Sequence, residues 1–146
     1  MKRKLITLIF LIGLFVIGNA QTNVDDNEMV GFACYEGGSE SKPVEFVSRL
    51  IDTEKYDSII DLLDSEYNAE RYLAVIVAEK LNELKKIILT REQKDKISKI
   101  YNSKGIVSVC SGCTYEDTLT LKSMLEKDNE MRISGNYWLD YKFKTK

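Results

Sequence analysis

The sequence predicts a mainly α fold: a compact bundle of about five helices with at most one short two-stranded element. Apolar residues recur at helical spacing in several segments, and seven successive uncharged residues, Tyr72 to Ala78, sit between good helix formers. Only Ile106 to Val109 and the tail around Leu139 carry the β-branched or alternating pattern of a strand. The 146 residues, 44% hydrophobic and 30% charged, suit one globular domain and leave no room for a multi-domain enzyme.

Lys2, Arg3 and Lys4 precede an uncharged, largely apolar run from Leu5 to Ile17 that contains Thr7 and Gly13, and Gly18-Asn19-Ala20 closes it. That is the pattern of a secretory signal peptide cleaved after Ala20. The run has 13 residues, short of the roughly 20 a helical membrane span needs. We therefore read residues 1–20 as a signal peptide, 21–30 as a disordered leader and 31–146 as a single helical domain, exported to the periplasm or the medium without a stable membrane span. Removing the three signal-peptide cations from 21 leaves 18 against 23 acidic residues, a net charge of −5 that disfavours nucleic acid as a partner.

The elements follow in order. Gly37-Gly38-Ser39-Glu40-Ser41 is turn-rich, and Pro43 fits the first turn of a helix starting near Lys42, where its missing donor costs nothing. Val44, Val47, Leu50 and Ile51 then share a face. Tyr56, Ile59, Ile60 and Leu63 repeat at i, i+3, i+4 and i+7, predicting a second helix over Thr53 to Leu63. The third, Ala69 to Leu84, contains the uncharged stretch and should be central. Thr90-Arg91-Glu92-Gln93 is a capping box for a fourth helix, with Ile97, Ile100 and Tyr101 as its stripe and Gly105 as its stop. Ile106 to Val109 reads as extended. Thr114 caps a fifth helix from Tyr115 to about Lys127 that buries Leu121, Met124 and Leu125. Leu139, Tyr141 and Phe143 alternate with Asp140, Lys142 and Lys144, so the tail reads as a strand or extended segment pairing with Ile106 to Val109.

Two resemblances accompany these patterns. Thr53 to Leu84, with Ala69-Glu70-Arg71-Tyr72-Leu73-Ala74-Val75 opening its second helix, resembles a HEAT-type helical hairpin; no second copy follows at a fixed spacing. Phe32-Ala33-Cys34-Tyr35, Pro43-Val44-Glu45-Phe46, Tyr72-Leu73-Ala74-Val75 and Val109-Cys110-Ser111-Gly112-Cys113-Thr114 together are similar to small exported proteins of Bacteroidota-type bacteria with no assigned activity. That similarity implies export and a compact helical domain, and no catalytic residue.

The absence of His removes Ser-His and Cys-His nucleophilic pairs, imidazole acid–base work and His-ligated zinc. The three cysteines, Cys34, Cys110 and Cys113, are disulfide candidates in an exported chain, and any two can pair. Chain entropy favours a long loop, about 4.5 kcal/mol for the roughly 77 residues closed by Cys34 and Cys110 against about 1.9 for Cys110 and Cys113. The alternative is redox chemistry. An extended segment, Cys110-Ser111-Gly112-Cys113 and a capped helix resemble the order at thioredoxin active sites, where a helix N-terminus stabilises a thiolate. That fold also needs a cis-proline after the motif, and the sole proline, Pro43, precedes it. A metal site from three cysteines and a carboxylate is a third option.

Other features read more simply. Tyr137, Trp138, Tyr141 and Phe143 offer flat faces to a sugar or peptide, although most should cover the core. Ser39-Glu40-Ser41-Lys42 contains the Ser-x-x-Lys string of penicillin-binding enzymes without their other motifs. Asp57, Asp61 and Asp64 lack the Gly-containing loop of a calcium hand. The reading is thus an exported, non-enzymatic helical module that binds a protein or envelope component, with no cofactor or metal called for. The alternative is a thiol–disulfide protein or sensor using Cys110 and Cys113.

Overall fold

A computed structural model of the chain describes residues 25–112 and 115–144. The signal-peptide reading of residues 1–20, residues 21–24 of the expected leader, Cys113 and Thr114 lie outside them. The fold is mainly α, with six α-helices among the described residues: α1 Lys42–Asp52, α2 Tyr56–Asp61, α3 Asn68–Glu83, α4 Arg91–Tyr101, α5 Leu121–Leu125 and α6 Glu130–Lys144. The sheet has three strands, β1 Met29–Val30, β2 Ile106–Ser111 and β3 Tyr115–Thr120, in the order β1-β2-β3, one strand more than expected.

The uncharged stretch dictates the architecture. Tyr72 to Ala78 are all buried, and α1, α2, α4, α5, α6 and β2 pack on α3. Full burial of each large aliphatic side chain contributes roughly 1.5–3 kcal/mol, so the helix apolar on all sides becomes the centre. Its tyrosine is accommodated because the Tyr72 hydroxyl donates to the Met131 carbonyl at 2.9 Å. Burial pushes that hydroxyl's pKa up, which keeps it a donor.

The outer helices follow their periodicity. On α1, Val44, Val47, Leu50 and Ile51 are buried. Thr90 and Gln93 form the capping box that starts α4. The second helix begins later than predicted, at Tyr56, because Thr53 closes α1 instead, its hydroxyl donating to the Arg49 carbonyl at 2.7 Å. It passes into a 3-10 turn at Leu62–Asp64. Both α1 and α3 end without glycine. Glu54 (φ 54°) and Lys85 (φ 57°) take the left-handed position. The amides of Lys55 and Lys86 reach back to the carbonyls of Leu50 and Leu81, the Schellman pattern. Gly105 does not stop α4, which ends at Tyr101. A side chain at Gly105 would instead collide with Asn68, whose Nδ2 donates to the Ile106 carbonyl at 3.1 Å.

Three expectations are corrected. Tyr115–Thr120, expected as helix, is a strand running antiparallel to β2 from Ile106↔Thr120 to Ser111↔Tyr115. The helix cap falls at Thr120, whose side chain accepts from the Ser123 amide at 3.2 Å, and only then are Leu121, Met124 and Leu125 buried by a short helix. Cross-strand pairing with β2 overrides a plausible local cap. The tail, expected as strand, is the helix α6: Met131, Gly135, Trp138 and Leu139 are its buried residues, at helical spacing. The alternation after Leu139 is incidental to a period that starts at Met131, and the partners of β2 are β1 and β3. Finally, Asp26–Val30 of the expected leader is built into the fold. Met29 and Val30 are buried and pair in parallel with Ser108 and Val109.

Glu28, in that same segment, caps the central helix. Tyr67 at the N-cap of α3 has no side-chain cap bond, and the Glu28 carboxylate accepts from the Asn68 and Ala69 amides, each at 3.0 Å. A carboxylate there satisfies orphan donors and complements the helix dipole.

Candidate functional site

Along β2, Val107 and Val109 join the main core with Val30, and Cys110, next in the alternation, faces the other way. Cys110 is bridged to Cys34, with Cα atoms 5.4 Å apart, and both are buried beside Met29. Of the three pairings open from sequence, two close a long loop, and this is one of them. Gly31 makes it sterically possible: a Cβ there would overlap both sulfur atoms and lie 2.6 Å from the Cys110 carbonyl oxygen. Gly31 is tied to the start of α1, its amide donating to Ser41 Oγ at 3.0 Å and its carbonyl accepting from the Ser41 amide at 2.9 Å. The chain then turns tightly through Tyr35 to Gly38, where Tyr35 donates its amide to Gly112 at 2.7 Å.

The thioredoxin-like arrangement is not what surrounds Cys110. Its sulfur is joined to Cys34, and the element after the motif is the strand β3 rather than a helix. Cys113 lies outside the described residues. Lys42 donates to Asp26 at 2.7 Å rather than facing Ser39, and Asp64 pairs with Lys96 at 2.7 Å. Among the described residues no group of His, Cys, Asp or Glu is placed to hold a metal ion.

The bridged segment and α6 enclose a groove of about 510 Å³. Its floor is Trp138, 7% exposed, stacked in a tilted arrangement on Phe32 with ring centroids 5.3 Å apart. Gly135 allows this approach, since a Cβ there would meet Ile76 Cδ1 at 2.9 Å and Phe32 Cζ at 3.2 Å. Tyr137 and Tyr141, one helical turn apart on α6, line the groove at 74% and 67% exposure. Of the four tail aromatics expected mostly in the core, Trp138 and the half-buried Phe143 pack there and the two tyrosines face out.

Glu40 is the groove's charged lining residue. Its Oε1 accepts from the Trp138 indole N–H at 2.9 Å and its Oε2 from the Ser48 hydroxyl at 2.7 Å, which fixes the carboxylate. Both donors are neutral, and among the described residues no cation forms an ion pair with it. A charged cleft of about 320 Å³ involving α3 and α6 behaves differently. There Arg132 pairs with Glu79 at 2.7 Å, and Lys80 with Asp140 at 3.0 Å and Glu83 at 3.5 Å, so each carboxylate of the cleft has a cation beside it. The hydrogen bond from Lys80, ahead of its charge, holds Asp140 below the usual carboxylate range. Burial, then the Glu79 charge, pushes Tyr101 up to about 12, keeping its hydroxyl a donor to Glu79 at 2.9 Å.

Phe32, Glu40 and Ser134 of the groove were not singled out from sequence. Glu40 and Trp138 are 98 residues apart, and no local pattern joins them. No helix among the described residues is long and apolar enough to cross a membrane. No protein-family model, curated protein or solved structure matches the chain.

Proposed function

We propose that this protein is an exported, non-enzymatic helical module that binds a protein or envelope partner through the groove between α6 and the disulfide-bridged segment. The observation that carries this reading is the pair Tyr137 and Tyr141. Their rings, 74% and 67% exposed, stand over a preformed cavity and offer large, amphipathic contact area to a partner's surface. The Cys34–Cys110 bridge supports export, since such bonds persist in oxidising compartments. The alternative, thiol–disulfide exchange by Cys110 and Cys113, has less support, because exchange would first require a buried bridge to Cys34 to open.

Photocrosslinking tests the reading. A benzophenone side chain at position 137 should give discrete adducts in cells, and one at Lys94, exposed on α4, should not; identical patterns from both positions would overturn it. Amino-terminal sequencing should find Gln21 first in the exported product, and a retained Met1 would remove export from the proposal.

A further inference from the structure

The groove differs from the charged cleft involving α3 and α6 in its electrostatics. In that cleft the carboxylates lie beside cations: Glu79 meets Arg132 at 2.7 Å, Asp140 meets Lys80 at 3.0 Å and Glu83 meets Lys80 at 3.5 Å. Glu40 meets an indole and a hydroxyl, both neutral, and it is half-buried. Its charge therefore has no ion-pair partner among the described residues and sits in a partly desolvated concavity, where the field is focused toward the opening. Around it stand the rings of Phe32, Trp138, Tyr137 and Tyr141, whose negative faces attract a cation within about 6 Å of the centroid. The Trp138 N–H bond to a carboxylate reinforces this by polarising the indole toward its ring face. An anionic ligand would meet repulsion here and no cation to hold it.

We propose that the groove receives an arginine or lysine side chain from a basic, exposed segment of a partner protein, with Glu40 as the counter-charge and Tyr137 and Tyr141 as the rings over which the cation lies. The inference rests on the groove being an interaction surface and adds the chemistry of what enters it. Charge complementarity selects this occupant: among the described residues the lining has one fixed carboxylate, four aromatic rings and no cation. A guanidinium both stacks on rings and offers the donors that the remaining Glu40 lone pairs accept.

Trp138 is the chain's single tryptophan, so intrinsic fluorescence of the disulfide-intact protein reports on the groove directly. The probe is an amidated, acetylated Gly-Arg-Gly-Arg-Gly peptide, compared with the same peptide carrying citrulline, a neutral isostere of arginine, and with a neutral glucose oligosaccharide. The arginine peptide should shift the emission saturably, weaken with added salt, and bind about tenfold better than the citrulline peptide. Glu40→Gln, which keeps an acceptor for the indole, should lose about tenfold, and Tyr137→Ala roughly two- to fivefold. Equal binding of the two peptides, or saturable binding of the oligosaccharide alone, would overturn the inference. Should Glu40→Gln fail to fold, the citrulline comparison and Tyr137→Ala, a change at an exposed ring, still decide it. If the peptide fails while crosslinks from position 137 persist, the cation falls and the interaction surface stands; loss of both removes both.

Discussion

The layer around α3 and the end of the molecule around the disulfide are held by different means. In the first, Tyr72 to Ala78 are buried by side-chain packing from α1, α2, α4, α5, α6 and β2 around one uncharged stretch. In the second, the ties are few and distant. Glu28 reaches Asn68 across 40 residues, Cys34 reaches Cys110 across 76 and Trp138 reaches Glu40 across 98. Only Met29, Cys34 and Cys110 form a buried cluster of their own there. The groove therefore has one wall, α6, seated in the broad core and another that a covalent bond holds in place.

The largest expected effect comes from removing that bond. Cys34→Ala together with Cys110→Ala should lower unfolding free energy by about 4.5 kcal/mol, the chain-entropy value for a loop of roughly 77 residues. The loss should also be uneven, with amide exchange at Val30 and Val109 accelerating before exchange at Leu73. Uniform acceleration would mean that the two regions unfold as one and that the contrast is false.

Next comes Leu73→Ala, which empties a fully buried position on α3. Its cost should be about 3 kcal/mol in urea unfolding, by lost transfer energy and a residual cavity. The bridge lies in a buried cluster separate from that of Leu73, so the combined variant should be close to additive. Strong non-additivity would show that the staple acts through α3.

The same division governs what could be read from the sequence. Helices α1, α3 and α4 were legible because their information is local: Pro43 and the Thr90–Gln93 box mark starts, and spacing marks the buried faces. Asp26–Val30 was not, because five residues with acidic neighbours become structure only when β2, 79 residues away at each paired position, supplies hydrogen bonds. Thr114 to Lys127 failed for the same reason: a threonine stands at both Thr114 and Thr120, and pairing with Ile106–Ser111 chooses the second as the cap. The tail failed differently, since alternation over Leu139 to Phe143 is compatible with both periods and only Met131 and Gly135 upstream reveal the helix. Of the site, Cys34, Cys110 and the tail aromatics were visible as residue types. Their juxtaposition with Glu40 was not.

A smaller effect tests the link between the regions. Glu28→Ala removes the carboxylate that caps α3 and should cost about 1–2 kcal/mol, combining a lost cap with lost dipole stabilisation. Measured with the disulfide reduced, the cost should shrink, because β1 is then less firmly held beside the helix. An unchanged cost would show that Asp26–Val30 stays docked without the bridge.

The smallest effect has the opposite sign and separates the two ways in which this chain uses backbone. At Lys85 the helix ends in the left-handed conformation without a glycine, which strains an L-residue by about 1 kcal/mol. Lys85→Gly relieves that strain, offset partly by the extra freedom glycine gains in the unfolded chain, so stabilisation of about 0.5 kcal/mol is expected. Gly31→Ala is the mirror case. Its Cβ has no space between the two sulfur atoms, so the substitution should both destabilise the fold and slow closure of the Cys34–Cys110 bridge, measured by thiol trapping during refolding. Lys85 is exposed and its cost is conformational; Gly31 is buried and its requirement is room. If Lys85→Gly destabilises, the helical half is not so relaxed as its packing suggests. If Gly31→Ala leaves bridge formation untouched, the disulfide end tolerates displacement that its close packing of Gly31, Cys34 and Cys110 argues against.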